Sequence, residues 1–246
     1  MSGHSKWATI KHAKGAADAK RGQVFTKLIK EISIAARMGG GSSDSNPRLR
    51  TAILKARAAN MPKDNIDRAI KKGTGELEGV NYEELVYEAY AHGGVAIFIE
   101  VLTDNKNRAA ADIRNILQKA GGQLATSGSV SRLFKRMGVI TLDGDKYTEE
   151  QVMEVAIEGG AEDVSTNDGI VEVTTAPEDF EAVLNAIQAK EFETINAQVS
   201  MIAEAEVTLD NDGTAKALRL IEKLEDNEDV QNVYSNIAIP DGFEAN

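Results

Sequence analysis

The sequence predicts an α+β protein with an N-terminal three-helix domain and two ferredoxin-like α+β domains, the third inserted into the second. Three observations support this fold class. Apolar residues recur at helical spacing up to about residue 73, and strands alternate with helices from Tyr82 onward. The order βαββαβ then occurs twice, one copy inside the other. The expected domains are residues 1–78 (helical), 79–136 with 204–246 (discontinuous) and 137–203 (inserted).

Three short helices are expected in the first domain, preceded by a small, polar and basic arm over residues 1–20. The glycine run after Met38 ends the first helix. Asn46 followed by Pro47 has the form of a helix cap with proline at the first helical position. The three predicted helices cover residues 22–38, 47–59 and 62–72.

The rest of the chain predicts strands separated by helices. The helix starts at Thr148 and Pro177 are followed by acidic residues, which suit the positive end of a helix dipole. The predicted strands cover residues 84–90, 95–102, 129–135, 139–142, 163–165, 170–174, 194–201, 206–209 and 230–238. The predicted helices cover residues 108–120, 149–158, 177–189 and 215–225.

The charge of the chain divides at about residue 73. Residues 1–73 hold 16 Lys and Arg against 5 Asp and Glu, whereas the remaining residues, the acidic body, hold 12 against 34. The net charge of −11 therefore hides a basic domain of +11 beside a body of −22. Such asymmetry indicates polyanion binding by the basic part, while the acidic body repels phosphates and restricts the orientation of the complex.

Nucleic acid is therefore the predicted partner of the basic domain. Solvated helix faces are the ordinary explanation for surface cations, but one shared sign over three helices and an arm favours a binding surface. Trp7 has two open roles, stacking on an unpaired base or anchoring the arm on the helices. The candidate contact residues are Lys6, Trp7, Lys11, Lys14, Lys20, Arg21, Lys27, Lys30, Arg48, Arg50 and Lys63.

The sequence gives little support for catalysis. It has no Cys, which excludes disulfides, thiol catalysis and Cys-ligated zinc. Phosphate-cradling, nucleophile-elbow and zinc-helix motifs are also absent, so we expect no enzyme activity, cofactor, metal or small-molecule substrate. One polar loop, with Asp104, Asn107 and Arg108, follows a buried-looking strand. It is a possible cleft site, although helix capping is the commoner role of such residues.

Membrane association is not expected. The most apolar run, from Gly94 to Leu102, is interrupted by Glu100 and is too short to span a bilayer. The start of the chain shows no apolar stretch typical of a signal peptide. A cytoplasmic location is the resulting expectation.

Several strings of residues resemble the YebC/PmpR family over essentially the whole chain. They are 3–12 (GHSKWATIKH), 20–22 with 25–28, 39–40 through 46–50, 60–64, 87–88 with 93–94, and 103–108 (TDNKNR). The resemblance implies three domains around a cleft and a cytoplasmic, non-enzymatic regulator of gene expression. Bacterial members are described as DNA-binding transcriptional regulators. The mitochondrial relative is a translational activator of a cytochrome oxidase subunit, and some bacterial relatives act on ribosomes stalled at proline-rich stretches.

Two functions remain open at this point. The first is a DNA-binding transcriptional regulator, in which one of the short helices enters a major groove. The alternative is a translation factor that binds ribosomal RNA, which a basic arm carrying a tryptophan and a glycine loop also suits. An adaptor whose acidic cleft binds a basic protein is a further possibility.

Overall fold

The computed structural model describes residues 18–240 and 243, with side chains from Gly22 onward. Its first part is a helical unit of three helices, α1 (Asp18–Gly39), α2 (Pro47–Ala58) and α3 (Lys63–Thr74). Their apolar stripes meet in one small core that includes Ile32, Leu49 and Ile66. Residues 1–17 of the predicted arm lie outside the described residues.

Asn46 connects the first two helices of this unit. Its Oδ1 accepts a hydrogen bond from the N–H of Leu49 at 3.1 Å and so caps α2. Its Nδ2 donates to the carbonyl oxygens of Ala35 and Gly40 at 2.8 and 2.9 Å, which lie at the end of α1. A Cβ at Gly39 would lie 2.6 Å from Nδ2 of Asn46, so this close approach requires glycine.

The remaining elements alternate between strands and helices. In chain order they are β1 (Glu83–Tyr90), β2 (Ala96–Thr103), α4 (Lys106–Lys119), β3 (Gln123–Leu124), β4 (Phe134–Asp143), α5 (Glu149–Glu158), β5 (Ala161–Asn167), β6 (Ile170–Thr175), α6 (Phe180–Ala189), β7 (Thr194–Ala203), β8 (Val207–Thr208), α7 (Asn211–Glu225), β9 (Val230–Ser235) and β10 (Ile237–Ala238).

The inserted unit comprises β4 to β7 with α5 and α6. Its antiparallel sheet has the order β5-β6-β4-β7, which is the ferredoxin-like arrangement of a βαββαβ unit. Ile140, Val173 and Ile187 belong to the core between this sheet and the two helices. The helix predicted at 149–158 matches α5. A capping box formed by Thr148 and Gln151 fixes the start of this helix.

The discontinuous unit surrounds the insert in sequence. Its sheet has the order β3-β1-β2-β9, and α4 and α7 pack on one face through residues such as Ile113 and Leu220. Strand β2 pairs with β9, with Ile97 opposite Ser235, so the chain leaves this sheet, builds the insert and returns. The fold class predicted from the sequence is confirmed, while the numbered domain boundaries stay predictions.

One strand of the discontinuous unit was assigned to the wrong position. The sequence placed residues 206–209 inside the sheet, but β8 covers only Val207–Thr208 and pairs in parallel with β10. Its place beside β2 is taken by β1, which forms an eight-pair antiparallel hairpin with β2. A tight hairpin closes at a smaller entropic cost than a pairing across the insert, which explains the preference.

The predicted strand at 129–135 is also wrong. Residues 131–133 form a 3₁₀ turn, and β4 begins only at Phe134. The carboxylate of buried Glu88 accepts backbone hydrogen bonds from Gly128 at 2.7 Å, Val130 at 2.5 Å and Ser131 at 3.0 Å. Burial alone raises the pKa of Glu88, but these hydrogen bonds lower it overall. The segment is therefore folded around an anion instead of pairing as a strand.

Within the described part of the chain, no helix combines the length and apolar character that a bilayer crossing requires.

Candidate nucleic-acid interface

The structure places the predicted contact residues in three groups. The first group is the N-terminal one. Four of its members lie outside the described residues, namely Lys6, Trp7, Lys11 and Lys14, and two belong to the first turns of α1, namely Lys20 and Arg21. Lys27, Lys30, Arg48 and Arg50 contact other parts of the protein. Lys63 is exposed at the start of α3.

Lys30 is the clearest correction to the sequence analysis. Helical spacing placed it on a face open to a partner, but only 6% of the residue is exposed. Its Nζ lies 2.8 Å from Oδ1 of Asp229 and donates to the carbonyl oxygen of Glu228 at 2.9 Å. The discontinuous unit covers this face of α1, so Lys30 docks the helical unit and is not a surface cation.

Asp229 is the centre of this docking contact. Only 3% of its side chain is exposed, and both of its carboxylate oxygens also accept hydrogen bonds from Arg108, at 2.8 to 3.1 Å. Burial raises the pKa of Asp229, but the hydrogen bonds from Lys30 and Arg108 lower it overall. The carboxylate is therefore held in its charged form between two cations, an arrangement we call the Asp229 cluster.

The polar loop at 104–108 supports the cluster. Asp104 accepts a hydrogen bond from Nη2 of Arg108 at 2.8 Å. Asn105 caps α4 through its Oδ1, which accepts from the N–H of Arg108 at 3.0 Å. Asn107 is exposed in the first turn of α4. The loop thus has the capping role, and its charged residues connect to Asp229.

Two further cations of α1 contact the discontinuous unit and its connection. Nζ of Lys27 donates to the carbonyl oxygen of Glu225 at the end of α7. Arg37 donates to Oδ1 of Asn81 at 3.2 Å and to the carbonyl oxygen of Tyr82. Together with Lys30 they form the docked side of the helical unit.

Arg48 and Arg50 of α2 bridge to both α+β units. Arg48 pairs with Glu31 of α1 at 2.7 Å and with Glu84 of β1. Nε of Arg50 donates to Oε1 of Glu181 in α6 at 3.0 Å. The side chains of both arginines remain about one-third exposed, so these ion pairs are accessible to solvent and weak.

Four of the exposed cations on α2 and α3 are Arg57, Lys63, Arg68 and Lys71, which we call the open surface. All four are exposed, on the C-terminal part of α2 and along α3. Among the described residues none of them forms an ion pair. At about 100° per residue, Lys71 lies about 80° from Lys63 and about 60° from Arg68, so the three spread over the half of α3 that faces away from buried Ile66 and Ala69. The sequence showed these charges, but it did not show which would stay uncovered.

The molecule is therefore a three-unit α+β protein in which a basic helical unit is docked on an acidic body and, among the residues that the structure describes, leaves a cationic surface uncovered. Residues 5–76 match the TACO1/YebC protein N-terminal domain, and residues 82–237 match the TACO1/YebC second and third domain. The chain belongs to the TACO1/YebC family, which confirms the resemblance found in the sequence.

Similar proteins cover the chain almost completely. A protein from Treponema denticola named as a probable transcriptional regulatory protein is 66% identical over 99% of both chains. One with the same type of name from Desulforapulum autotrophicum is 55% identical over 98% of both chains. The crystal structure of a conserved hypothetical protein from Aquifex aeolicus is 44% identical, with a TM-score of 0.82 over 91% of this chain and 93% of that one.

Proposed function

We propose that this protein is a nucleic-acid-binding regulator of gene expression that contacts phosphates through its helical unit. The observation that carries this proposal is the open surface, whose four cations are exposed and free of ion pairs among the described residues. Lys and Arg that neutralise phosphates provide most of the affinity of such proteins. The relatives named as probable transcriptional regulatory proteins support the same reading.

The acidic body has a definite part in this function. The body has a net charge of −22, and the Asp229 cluster fixes the helical unit to the body. Phosphates are repelled by the body and attracted to the open surface, which limits the orientations in which nucleic acid binds. The role is one of binding, without catalysis, in the cytoplasm.

DNA is the target that the names of the relatives favour, and RNA is the second candidate. The composition of α3 favours RNA, because its exposed positions carry Lys, Arg and Asp, and Asn65 is its only amide side chain. Reading base edges in a major groove commonly uses Asn, Gln or Arg placed at several positions. A surface of this kind suits backbone and shape recognition, as in folded RNA.

The deciding experiment compares binding of duplex DNA and structured ribosomal RNA by fluorescence anisotropy over a range of salt concentrations. The variant Lys63→Gln/Arg68→Gln/Lys71→Gln is expected to weaken binding and to lower the salt slope by about one per lost contact. The control Lys119→Gln/Lys190→Gln/Lys223→Gln removes three exposed lysines from the acidic body and should change neither. Equal effects of the two variants would show that the open surface is not the contact.

Nucleic acid crosslinked to the protein in cells identifies the target. Recovery of ribosomal RNA would establish a translation factor, and recovery of discrete promoter DNA would establish a transcriptional regulator. Recovery of neither, together with no binding in vitro, would overturn the proposed function.

A further inference from the structure

A cavity of about 260 Å³ lies where the helical unit joins the first strand of the discontinuous unit. Its walls are α1, the end of α3 and the connection formed by residues 75–82. It is separate from the open surface, and no residue of the Asp229 cluster lines it.

The lining of the cavity is mixed, and beside polar residues and glycines it has an apolar part formed by Ile34, Leu77, Val80 and Tyr82. Ile34 is buried in its wall, with 3% of the residue exposed. Leu77 and Val80 are 43% and 55% exposed, although both belong to a short connection beside a packed core. The partly buried Tyr82 also lines it. Apolar and aromatic surface of this kind binds the flat face of a ring.

Two cations complete the lining, Arg37 and Lys72. Both are exposed, and among the described residues neither forms an ion pair with a carboxylate. Arg37 is oriented by Oδ1 of Asn81 and the carbonyl oxygen of Tyr82, both of which are uncharged acceptors. Its guanidinium is therefore positioned without being neutralised, which suits binding of an anion.

We propose that this cavity binds one nucleotide unit, with its phosphate between Arg37 and Lys72 and its base against the apolar lining. A free inorganic anion would not use Leu77, Val80 and Tyr82, and an uncharged apolar ligand would leave the charges of Arg37 and Lys72 without an anion. A volume of about 260 Å³ limits the ligand to at most one nucleotide unit, so neighbouring residues of a longer strand would leave the cavity.

Two sources could supply this phosphate and base, a free nucleoside monophosphate and an unpaired nucleotide of a bound strand. The second source rests on the proposed function, in which nucleic acid lies on the adjacent open surface. The first does not depend on it.

The test titrates the full-length protein with adenosine monophosphate, adenosine and inorganic phosphate separately, following backbone amide signals of residues 72–82 by NMR. Adenosine monophosphate is expected to shift these signals at lower concentration than either fragment. Lys72→Gln is expected to weaken its binding about tenfold, the usual effect of a lost charged hydrogen bond. The control Lys119→Gln should have no effect.

Arg37→Lys serves as a second variant, because it keeps the charge but loses the planar fork that Asn81 and Tyr82 orient. It should weaken binding of the monophosphate while the protein stays folded. If adenosine monophosphate produces no shift at residues 72–82, or if Lys72→Gln leaves its affinity unchanged, a site for free nucleotide is ruled out.

A short single-stranded RNA separates the two sources. If its affinity falls in Lys72→Gln as well as in the open-surface variant, the cavity binds a nucleotide of the strand. If the affinity for the RNA falls only in the open-surface variant and the monophosphate does not bind, the cavity proposal fails and the proposed function stands. If only the monophosphate binds, the cavity proposal stands and the proposed function fails.

Discussion

The two sides of the helical unit carry the same kind of charge and differ completely in their surroundings. On the docked side, Lys30 has 8% of its side chain exposed and is paired with Asp229. On the other side, Lys63, Arg68 and Lys71 are exposed along α3. The comparison teaches that a cation in a basic domain has either a structural or a binding role, and that its partner in the folded chain decides which.

The physical basis of this difference is desolvation. A lysine buried without a partner would cost several kcal/mol, so Lys30 is compatible with burial only because Asp229 is beside it. The exposed cations need no such partner, and their charge remains available to phosphates. Substitutions on the two sides should therefore affect different measurements.

The largest effect is expected for Asp229→Asn. The substitution leaves Lys30 and Arg108 facing a neutral side chain in a site where only 3% of the aspartate side chain is exposed. We expect a loss of about 3–5 kcal/mol in the free energy of unfolding, the usual cost of removing one partner of a buried pair. Denaturant unfolding followed by circular dichroism measures this loss.

Asp212→Asn is the matched control for that prediction. Asp212 forms an ion pair with Lys216 on the surface of α7, at 2.6 Å and with 70% of its side chain exposed. Its loss should cost at most about 0.5 kcal/mol. A similar loss in the two variants would contradict the structural role of the Asp229 cluster.

A smaller loss is expected for Lys30→Met, because Asp229 keeps its contacts with Arg108. The missing charged hydrogen bond should cost about 1.5–3 kcal/mol of unfolding free energy. Lys63→Met on the open side should change stability by less than about 0.5 kcal/mol and should instead weaken nucleic-acid binding. If Lys63→Met destabilised the protein as much as Lys30→Met, the comparison between the two sides would be wrong.

The pH dependence of stability tests the charged state of Asp229. Its pKa lies below the ordinary value of 3.8 in the folded protein, so the carboxylate stabilises the fold above that pH. The stabilisation is lost as pH falls from about 3.8 through the lowered pKa. Wild type should therefore lose more stability over this interval than Asp229→Asn, as measured by urea unfolding at successive pH values. If the unfolding free energies of the two proteins fell by the same amount over this pH interval, the carboxylate of Asp229 would not be the group that is protonated.

Among the contacts between the helical unit and the acidic body, the smallest loss of stability is expected for Glu84→Gln/Glu181→Gln. Both glutamates form exposed ion pairs, with Arg48 and Arg50, so the double variant should lose less than about 1 kcal/mol. Arg50 then loses its pair with Glu181 and Arg48 keeps only the pair with Glu31, so both arginines become more accessible to phosphates and nucleic-acid affinity should rise several-fold. An affinity that falls would mean that the bridges position the helical unit for binding.

The sequence predicted most of the fold because many of its signals are local. Thr148 and Gln151 lie three residues apart and cap the start of α5, and the predicted bounds of that helix are correct. Residues 129–135 are different, because the carboxylate that holds their backbone belongs to Glu88, some 40 residues earlier. A contact of that kind leaves no periodic pattern in the sequence.

The candidate site was predicted only in part for the same reason. The charge division at about residue 73 identified the helical unit correctly as the basic part of the molecule. Helical spacing then separated apolar from charged faces, but it could not show that Asp229 would cover Lys30. The acidic residues that occupy Arg48 and Arg50 are likewise contributed by β1 and α6.

The separation of Lys30 and Asp229 by 199 positions also has a consequence for biosynthesis. At about 5–20 residues per second, roughly 10–40 s separate the synthesis of this lysine from the synthesis of the aspartate that neutralises it. During that interval the nascent chain presents its full positive charge beside ribosomal RNA. Completion of β9 then adds the last strand of the central sheet and supplies Asp229 at nearly the same moment, so closure of this sheet and docking of the helical unit are coupled in time.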